Sequence, residues 1–233
     1  MNRRKMLALL GAAGAAAFAV RAAAQAPSKK PNNPQPACVI TPEQTEGPYF
    51  VDERLRRSDI RVDPADGSIK AGVPLKLRLL VSAVGNGGCR PLAGAMVDVW
   101  HCDALGVYSD VEERAFKSTG KKFLRGYQVT DASGAVEFTT IYPGWYPGRA
   151  VHIHFKVRAD PKAARARELT SQLYFDEAIT DKVYARMPYS ARGRRTLENQ
   201  GDGIFRDGGR QLMLALTEDA QGYAATFSVG MRI

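Results

Sequence analysis

Three histidines occur in the chain, and two of them stand two apart in His152-Ile153-His154. On a β-strand, residues i and i+2 project from the same face. Both imidazoles can therefore address one metal ion while Ile153 packs into the opposite layer. A lone His-x-His is also what two half-buried strand histidines look like, so the preceding segment matters. Tyr142-Pro143-Gly144-Trp145-Tyr146-Pro147-Gly148-Arg149 carries two prolines and two glycines, a turn-rich loop. It brings two tyrosines and an arginine within ten residues of His152. The third histidine, His101, lies 51 residues upstream beside Trp100 and reads as a non-ligand on the opposite strand face.

The donor types narrow the metal. Zinc sites add a third His, an acid or a Cys, and no C-x-x-C is present. A ferrous facial triad needs two His and one carboxylate; no carboxylate follows His154 at short spacing, and Asp98 or Asp103 could serve only if the fold brought them in. Tyrosine is the remaining supply. A phenol has a pKa near ~10 and ligates poorly while protonated, but a strong local cation can hold it deprotonated. Two phenolates and two imidazoles would neutralise two of the three charges of Fe(III) and favour ferric over ferrous iron.

Longer segments carry a resemblance. Tyr142–Val157 (YPGWYPGRAVHIHFKV) resembles the iron-ligand segment of the intradiol ring-cleavage dioxygenases, the family of protocatechuate 3,4-dioxygenase and catechol 1,2-dioxygenase. Pro91–Asp110 (PLAGAMVDVWHCDALGVYSD) is similar to the family's other ligand strand and loop, and Phe123–Ile141 to the strand, turn and strand between them. Thr45-Glu46-Gly47-Pro48-Tyr49-Phe50 is similar to the arm that lines the pocket, and Ser171–Phe175 to a later strand. The resemblance runs over residues 41–177 and is loose beyond.

This resemblance implies one Fe(III) per chain, held by Tyr108, Tyr146, His152 and His154. Tyr146 would be the axial phenolate that substrate displaces, and Tyr108 the one that stays. Arg149 would offset negative charge on the activated ring, and Gln172 would sit behind the ligands as a polar support. Gly47, Pro48, Tyr49, Arg125 and Trp100 are the implied pocket residues, with core packing as the competing role for Trp100. Tyr142 is a competing ligand to Tyr146. The implied reaction cleaves a catechol-type ring (catechol, protocatechuate or a substituted catechol) between its two hydroxyls, with both atoms of O2 entering a cis,cis-muconate-type diacid. The implied partners are a catechol-type small molecule and O2. The arm and all four ligands lie in one chain, which permits a monomer or a homo-oligomer. The rival reading is a non-catalytic exported β-sandwich binding module with a vestigial metal site.

The elements that must position these residues are strand-like. Leu75, Leu77, Leu79 and Val81 alternate with Lys76, Arg78, Leu80 and Ser82, the period of a half-buried strand. Further strands are expected at Ala95–His101, Phe123–Thr130, Ala135–Ile141, Ala150–Arg158 and residues 170–175, with a hairpin of 211–217 and 223–229. Short helices are expected at 161–168 and 178–186. Many short strands between turns predict an all-β, two-sheet sandwich with long loops, few short helices and an irregular N-terminal arm over 41–58.

Composition agrees. Hydrophobic residues make up 45% and charged residues 24%, which excludes a disordered or collagen-like chain. Residues 1–24 hold Arg3, Arg4, Lys5 and Arg21, an apolar run from Met6 to Val20 and then Ala22-Ala23-Ala24, the layout of a signal peptide. The Arg3-Arg4 pair suggests twin-arginine export, hence a periplasmic or extracellular protein with no membrane span after cleavage. Removing that segment takes away four basic residues and no acidic one, leaving +5 of the +9 charge. Without a basic helix or nucleic-acid motif, nucleic-acid binding is not expected. Residues 25–40 read as a flexible linker and 41–233 as the dioxygenase domain. Three cysteines remain. If strands 75–83 and 95–102 form a hairpin, Cys89 and Cys102 lie at opposite ends of it, too far apart to bond. Cys38–Cys102 is then the expected disulfide.

Overall fold

The computed structural model describes residues 38–85, 88–114, 116–163 and 167–233. The signal segment expected at 1–24, residues 25–37 of the expected linker and residues 86–87 lie outside them. Eleven strands are formed among the described residues: β1 Pro74–Gly85, β2 Gly88–Pro91, β3 Met96–Trp100, β4 Glu112–Glu113, β5 Phe116–Lys117, β6 Arg125–Val129, β7 Ala135–Ile141, β8 His152–Arg158, β9 Glu168–Tyr174, β10 Thr217–Glu218 and β11 Tyr223–Arg232. Two short helices, α1 Glu177–Tyr184 and α2 Gly203–Arg206, follow β9.

The strands build the expected sandwich. One sheet is centred on β1, which pairs in parallel with β11 along one edge and antiparallel with β7 and β2 along the other, while β10 adds to β11. The second sheet has the order β6-β3-β8-β9, all antiparallel. Leu75, Leu77, Leu79 and Val81 of β1 face Val97 and Val99 of β3 and Ile153, Phe155 and Val157 of β8 in one core cluster. Ile153 and Phe155 are both wholly buried, each contributing about 1.5–3 kcal/mol. That anchoring has a direct consequence for the site. With the odd-numbered side chains of β8 committed to the core, His152, His154, Lys156 and Arg158 stand on the sheet's other face, where loops and the arm cover them.

Several expectations are corrected. Residues 211–217 do not form a strand. Gly209–Leu212 is a 3-10 turn that follows the left-handed Gly208 (φ +83°), and Leu214 N donates to Tyr174 O at 2.8 Å, so the segment follows β9 instead. Only Thr217–Glu218 pairs with β11. No helix covers 161–168: the Asp160 carboxylate accepts from Lys162 N at 3.0 Å in a turn, Glu168 already begins β9, and 164–166 lie outside the described residues. The strand at 95–102 is not the hairpin partner of β1 but belongs to the other sheet.

That last point corrects the disulfide. Cys38 is bonded to Cys89, with Cα atoms 5.2 Å apart, and Cys102 is a free, buried thiol. β1 turns back into β2, where Cys89 stands opposite Val84. The arm begins on β11: Thr41 N donates to Gly230 O at 2.9 Å, and Gly230 lies level with Ser82 of β1. Gly230 permits this approach, since a Cβ there would overlap the Val39 carbonyl oxygen. Cys38 therefore meets the β2 edge, not the end of β3. Among the described residues no helix is long and apolar enough to cross a membrane.

The bond spans 51 residues, so Cys89→Ser is expected to lower unfolding stability by about 4 kcal/mol on the chain-entropy account. Peptide mapping without reduction checks the pairing; a linked peptide containing Cys102 would contradict it.

Candidate metal centre

The register of β8 sets the histidines. His154 stands opposite Trp100 of β3 and Gln172 of β9, and His152 opposite Tyr174. His152 Nδ1 donates to Ala150 O at 2.7 Å, which makes Nε2 of the neutral ring the acceptor. That nitrogen lies 2.9 Å from His154 Nε2. Burial, reinforced by Arg149, pushes His152 down to about 3. Burial and the neighbouring His152 hold His154 well below its usual value. Both imidazoles are thus neutral, with the donor character a metal ligand needs.

The tyrosines arrive on loops. Tyr108 follows β3 and Tyr146 precedes β8. Tyr146 Oη is 3.3 Å from His152 Nε2. The Tyr108 ring meets that of Tyr146 edge-on at 5.6 Å and lies 6.4 Å from the His154 ring. Tyr108 is buried, and its hydroxyl has no hydrogen-bond partner; His154 Nδ1 has none either. Burial raises both phenols, Tyr108 strongly. An unsatisfied buried hydroxyl costs about 1–3 kcal/mol. A multiply charged cation would ionise the phenols and satisfy them, and hard phenolate oxygens beside imidazole nitrogens suit ferric iron. Among the described residues no group of three or more His, Cys, Asp and Glu converges anywhere. The groups brought together here are two phenols and two imidazoles, a set whose chemistry would fit a ferric ion.

Arg149 is close by. Its Nη1 is 3.5 Å from His152 Nε2, and its Nη2 donates to Gln172 Oε1 at 2.5 Å. Gln172 is fully buried and donates through Nε2 to Thr45 O at 2.9 Å, so it ties the arm to the arginine. Arg149 Nε donates to Asp202 Oδ2 at 2.9 Å. Asp202 was not among the sequence candidates: it comes from 53 residues downstream, and only its place before Gly203-Ile204-Phe205, as a helix N-cap, marked it.

The arm crosses the histidine face. Gly47 takes φ +70°, and a Cβ there would touch His154 Cε1 at 3.5 Å. Pro48 begins a turn, and Tyr49 stacks on Tyr108 at 4.4 Å and meets Tyr146 edge-on at 5.9 Å. Two of the expected pocket residues also brace the site. Arg125 spends its donors on Ser109 Oγ (2.7 Å), Ser109 O (2.5 Å) and Tyr49 O (3.2 Å); it clamps the arm to the Tyr108 loop from behind. Trp100 is 1% exposed and lies parallel to His154, with ring centroids 4.9 Å apart, so it packs behind that imidazole. Tyr142 is not a competing donor: its hydroxyl pairs with Thr180 Oγ1 at 2.6 Å in the main core. His101 is likewise satisfied, by Cys102 O at 2.8 Å and Thr140 Oγ1 at 2.7 Å.

A family model described as Dioxygenase matches residues 45–197. The protocatechuate 3,4-dioxygenase beta chain of Burkholderia cepacia is 33% identical over 144 residues, covering 57% of this chain and 60% of that one. Catechol 1,2-dioxygenase 1 of Acinetobacter lwoffii is 31% identical over 155 residues, covering 57% and 45%. The chain thus spans about half the length of the curated relatives it matches. The solved intradiol ring-cleavage dioxygenase of Tetranychus urticae superposes with a TM-score of 0.69 at 30% identity, covering 84% of this chain and 94% of that one. The chain belongs to the intradiol ring-cleavage dioxygenase family.

If the Tyr108 hydroxyl is unsatisfied without a cation, Tyr108→Phe leaves the metal-free protein as stable as the parent or more stable by about 1 kcal/mol. Denaturant unfolding in chelator checks this; a loss of more than about 1 kcal/mol would mean that the hydroxyl has a protein partner.

Proposed function

We propose that the protein is a non-haem Fe(III) dioxygenase that cleaves a catechol-type ring between its two hydroxyls with O2, giving a cis,cis-muconate-type diacid. Tyr108, Tyr146, His152 and His154 would hold one iron per chain. The observation that carries this reading is the pair of imidazole nitrogens 2.9 Å apart, with the Tyr146 hydroxyl 3.3 Å from one of them. Ferric iron, when bound, supplies a Lewis acid that chelates the catechol and draws electron density from its ring, opening it to O2.

The chain's own residues divide the remaining work. Tyr146 is only partly buried, on a loop, and burial raises its phenol. As a phenolate its oxygen would be a strong base placed to take a proton from an incoming catechol. Tyr108 is sealed under Tyr49 and stays in place. Arg149 Nη1 faces the histidine nitrogens and would offset negative charge on the ring, a contribution of order ~3 kcal/mol. The Gly47-Pro48-Tyr49 arm closes one side of the centre against water.

We infer export as well, into the periplasm or beyond. The basic and apolar layout of residues 1–24 supports it, and the Cys38–Cys89 bond suits an oxidising compartment.

An oxygen electrode tests the activity. Iron-loaded protein should consume one O2 per catechol, and Tyr146→Phe should slow turnover by about 100-fold or more, the scale expected when a positioned proton acceptor is lost. Parent protein inert toward catechol and protocatechuate would overturn the proposal.

A further inference from the structure

Asp202 lies beyond the end of the family match at residue 197, yet its carboxylate is 1% exposed and four groups donate to it. Oδ2 accepts from Arg149 Nε at 2.9 Å and from Ala150 N at 2.8 Å. Oδ1 accepts from Ile204 N at 2.8 Å and Phe205 N at 3.4 Å, capping α2. Burial alone would raise this carboxyl, but the Ala150 amide and the Arg149 guanidinium hold it below its ordinary range, so it is an anion.

The other side of the guanidinium is held too. Nη2 donates to Gln172 Oε1, and the same oxygen lies 3.1 Å from the Tyr174 hydroxyl, which is 2.9 Å from Gln44 Oε1. Gln44 Nε2 donates to Ile204 O and Asp207 O, each at 2.9 Å. The Tyr174 hydroxyl has one proton to give to the Gln172 and Gln44 amide oxygens, so Arg149 is bonded to Asp202 on one side and to Gln172 on the other, with Tyr174 and Gln44 packed between Gln172 and the α2 segment. Two of the three guanidinium nitrogens are thereby engaged. The third, Nη1, is the one near the histidine pair.

We propose that Asp202 is a positioning residue acting through Arg149. By gripping Nε it fixes the plane of the guanidinium and aims Nη1 at the point where substrate charge develops, so that the α2 segment is part of the site. The claim rests on the catechol-dioxygenase reading. Its physical basis is preorganisation: a donor already held in place needs no reorientation when charge appears, whereas an arginine released on one side can swing away.

Asp202→Asn and Asp202→Ser provide the test, because both residue types cap helices while removing the charge. With iron-loaded protein and catechol, kcat should fall by roughly 10- to 100-fold, the usual effect of losing a group behind a ligand, with the visible band unmoved. In an Arg149→Ala background the same change should alter kcat by less than about twofold, since residues acting as a unit are not additive. A folded Asp202 variant with kcat within about twofold of the parent, or an undiminished fall in the Arg149→Ala background, would overturn the proposal.

A second readout does not depend on activity. In metal-free, nitrogen-15-labelled protein, the Arg149 Nε–H signal, identified by its loss in Arg149→Lys, should resist solvent exchange. It should exchange rapidly in the Asp202 variants. An unprotected Arg149 signal in the parent refutes the proposal even if neither variant folds. A protected signal in a parent that consumes no oxygen would uphold the Asp202–Arg149 grip and overturn the dioxygenase reading alone.

Discussion

Two buried, neutral imidazoles hold their Nε2 atoms 2.9 Å apart, His154 Nδ1 has no partner, and the two phenols beside them are buried where ionisation is unfavourable. This electrostatic constraint organises the rest of the molecule. Burial of the imidazoles and phenols costs free energy, and the sandwich supplies it. The alternate side chains of β8 commit Ile153, Phe155 and Val157 to the main core, which leaves His152 and His154 no choice of face.

The site face is then closed in layers. Trp100 lies flat behind His154, Gly47 passes over its edge, and Tyr49 stacks on Tyr108. The arm that delivers Gly47 and Tyr49 is fixed by chemistry outside the site. Cys38 is tied to Cys89 at its start, Lys156 pairs with Glu46 in its middle, and Arg125 holds the Tyr49 carbonyl. A site residue on a strand is positioned by register; one on a loop needs this kind of external bracing, and Tyr108 receives it from Tyr49, Ser118 and Arg125. Ser118 Oγ donates to the Tyr108 carbonyl at 2.5 Å, and Arg125 grips the adjacent Ser109.

What was legible in the sequence followed period and local pattern. The two-residue alternation of β1 and β8, the turn at Asp131–Gly134 and the His-x-His pair all express local rules. The four proposed ligands became legible only through the family resemblance. The unread parts depend on which segments meet in space. Cys38–Cys89 was missed because β1 pairs with the short β2, whose four residues carry no periodic signal. The contacts of Arg125 with Ser109 and Tyr49 and of Trp100 with His154 were unreadable for this reason, since the side to which a buried side chain turns depends on the arm packed against it. Asp202 was hidden for the same reason: a helix cap reads locally, and its second role as the partner of Arg149 requires a meeting across 53 residues. The strand expected at 211–217 failed because tertiary pairing with Tyr174 captured the segment.

The central claim is that these two phenols and two imidazoles share one ferric ion. A visible spectrum with iron analysis of the purified protein tests it most directly. The account predicts one iron per chain and a red-brown phenolate-to-iron charge-transfer band that is weakened by Tyr108→Phe or Tyr146→Phe. Stoichiometric metal with no such band, or a band indifferent to both substitutions, would contradict it.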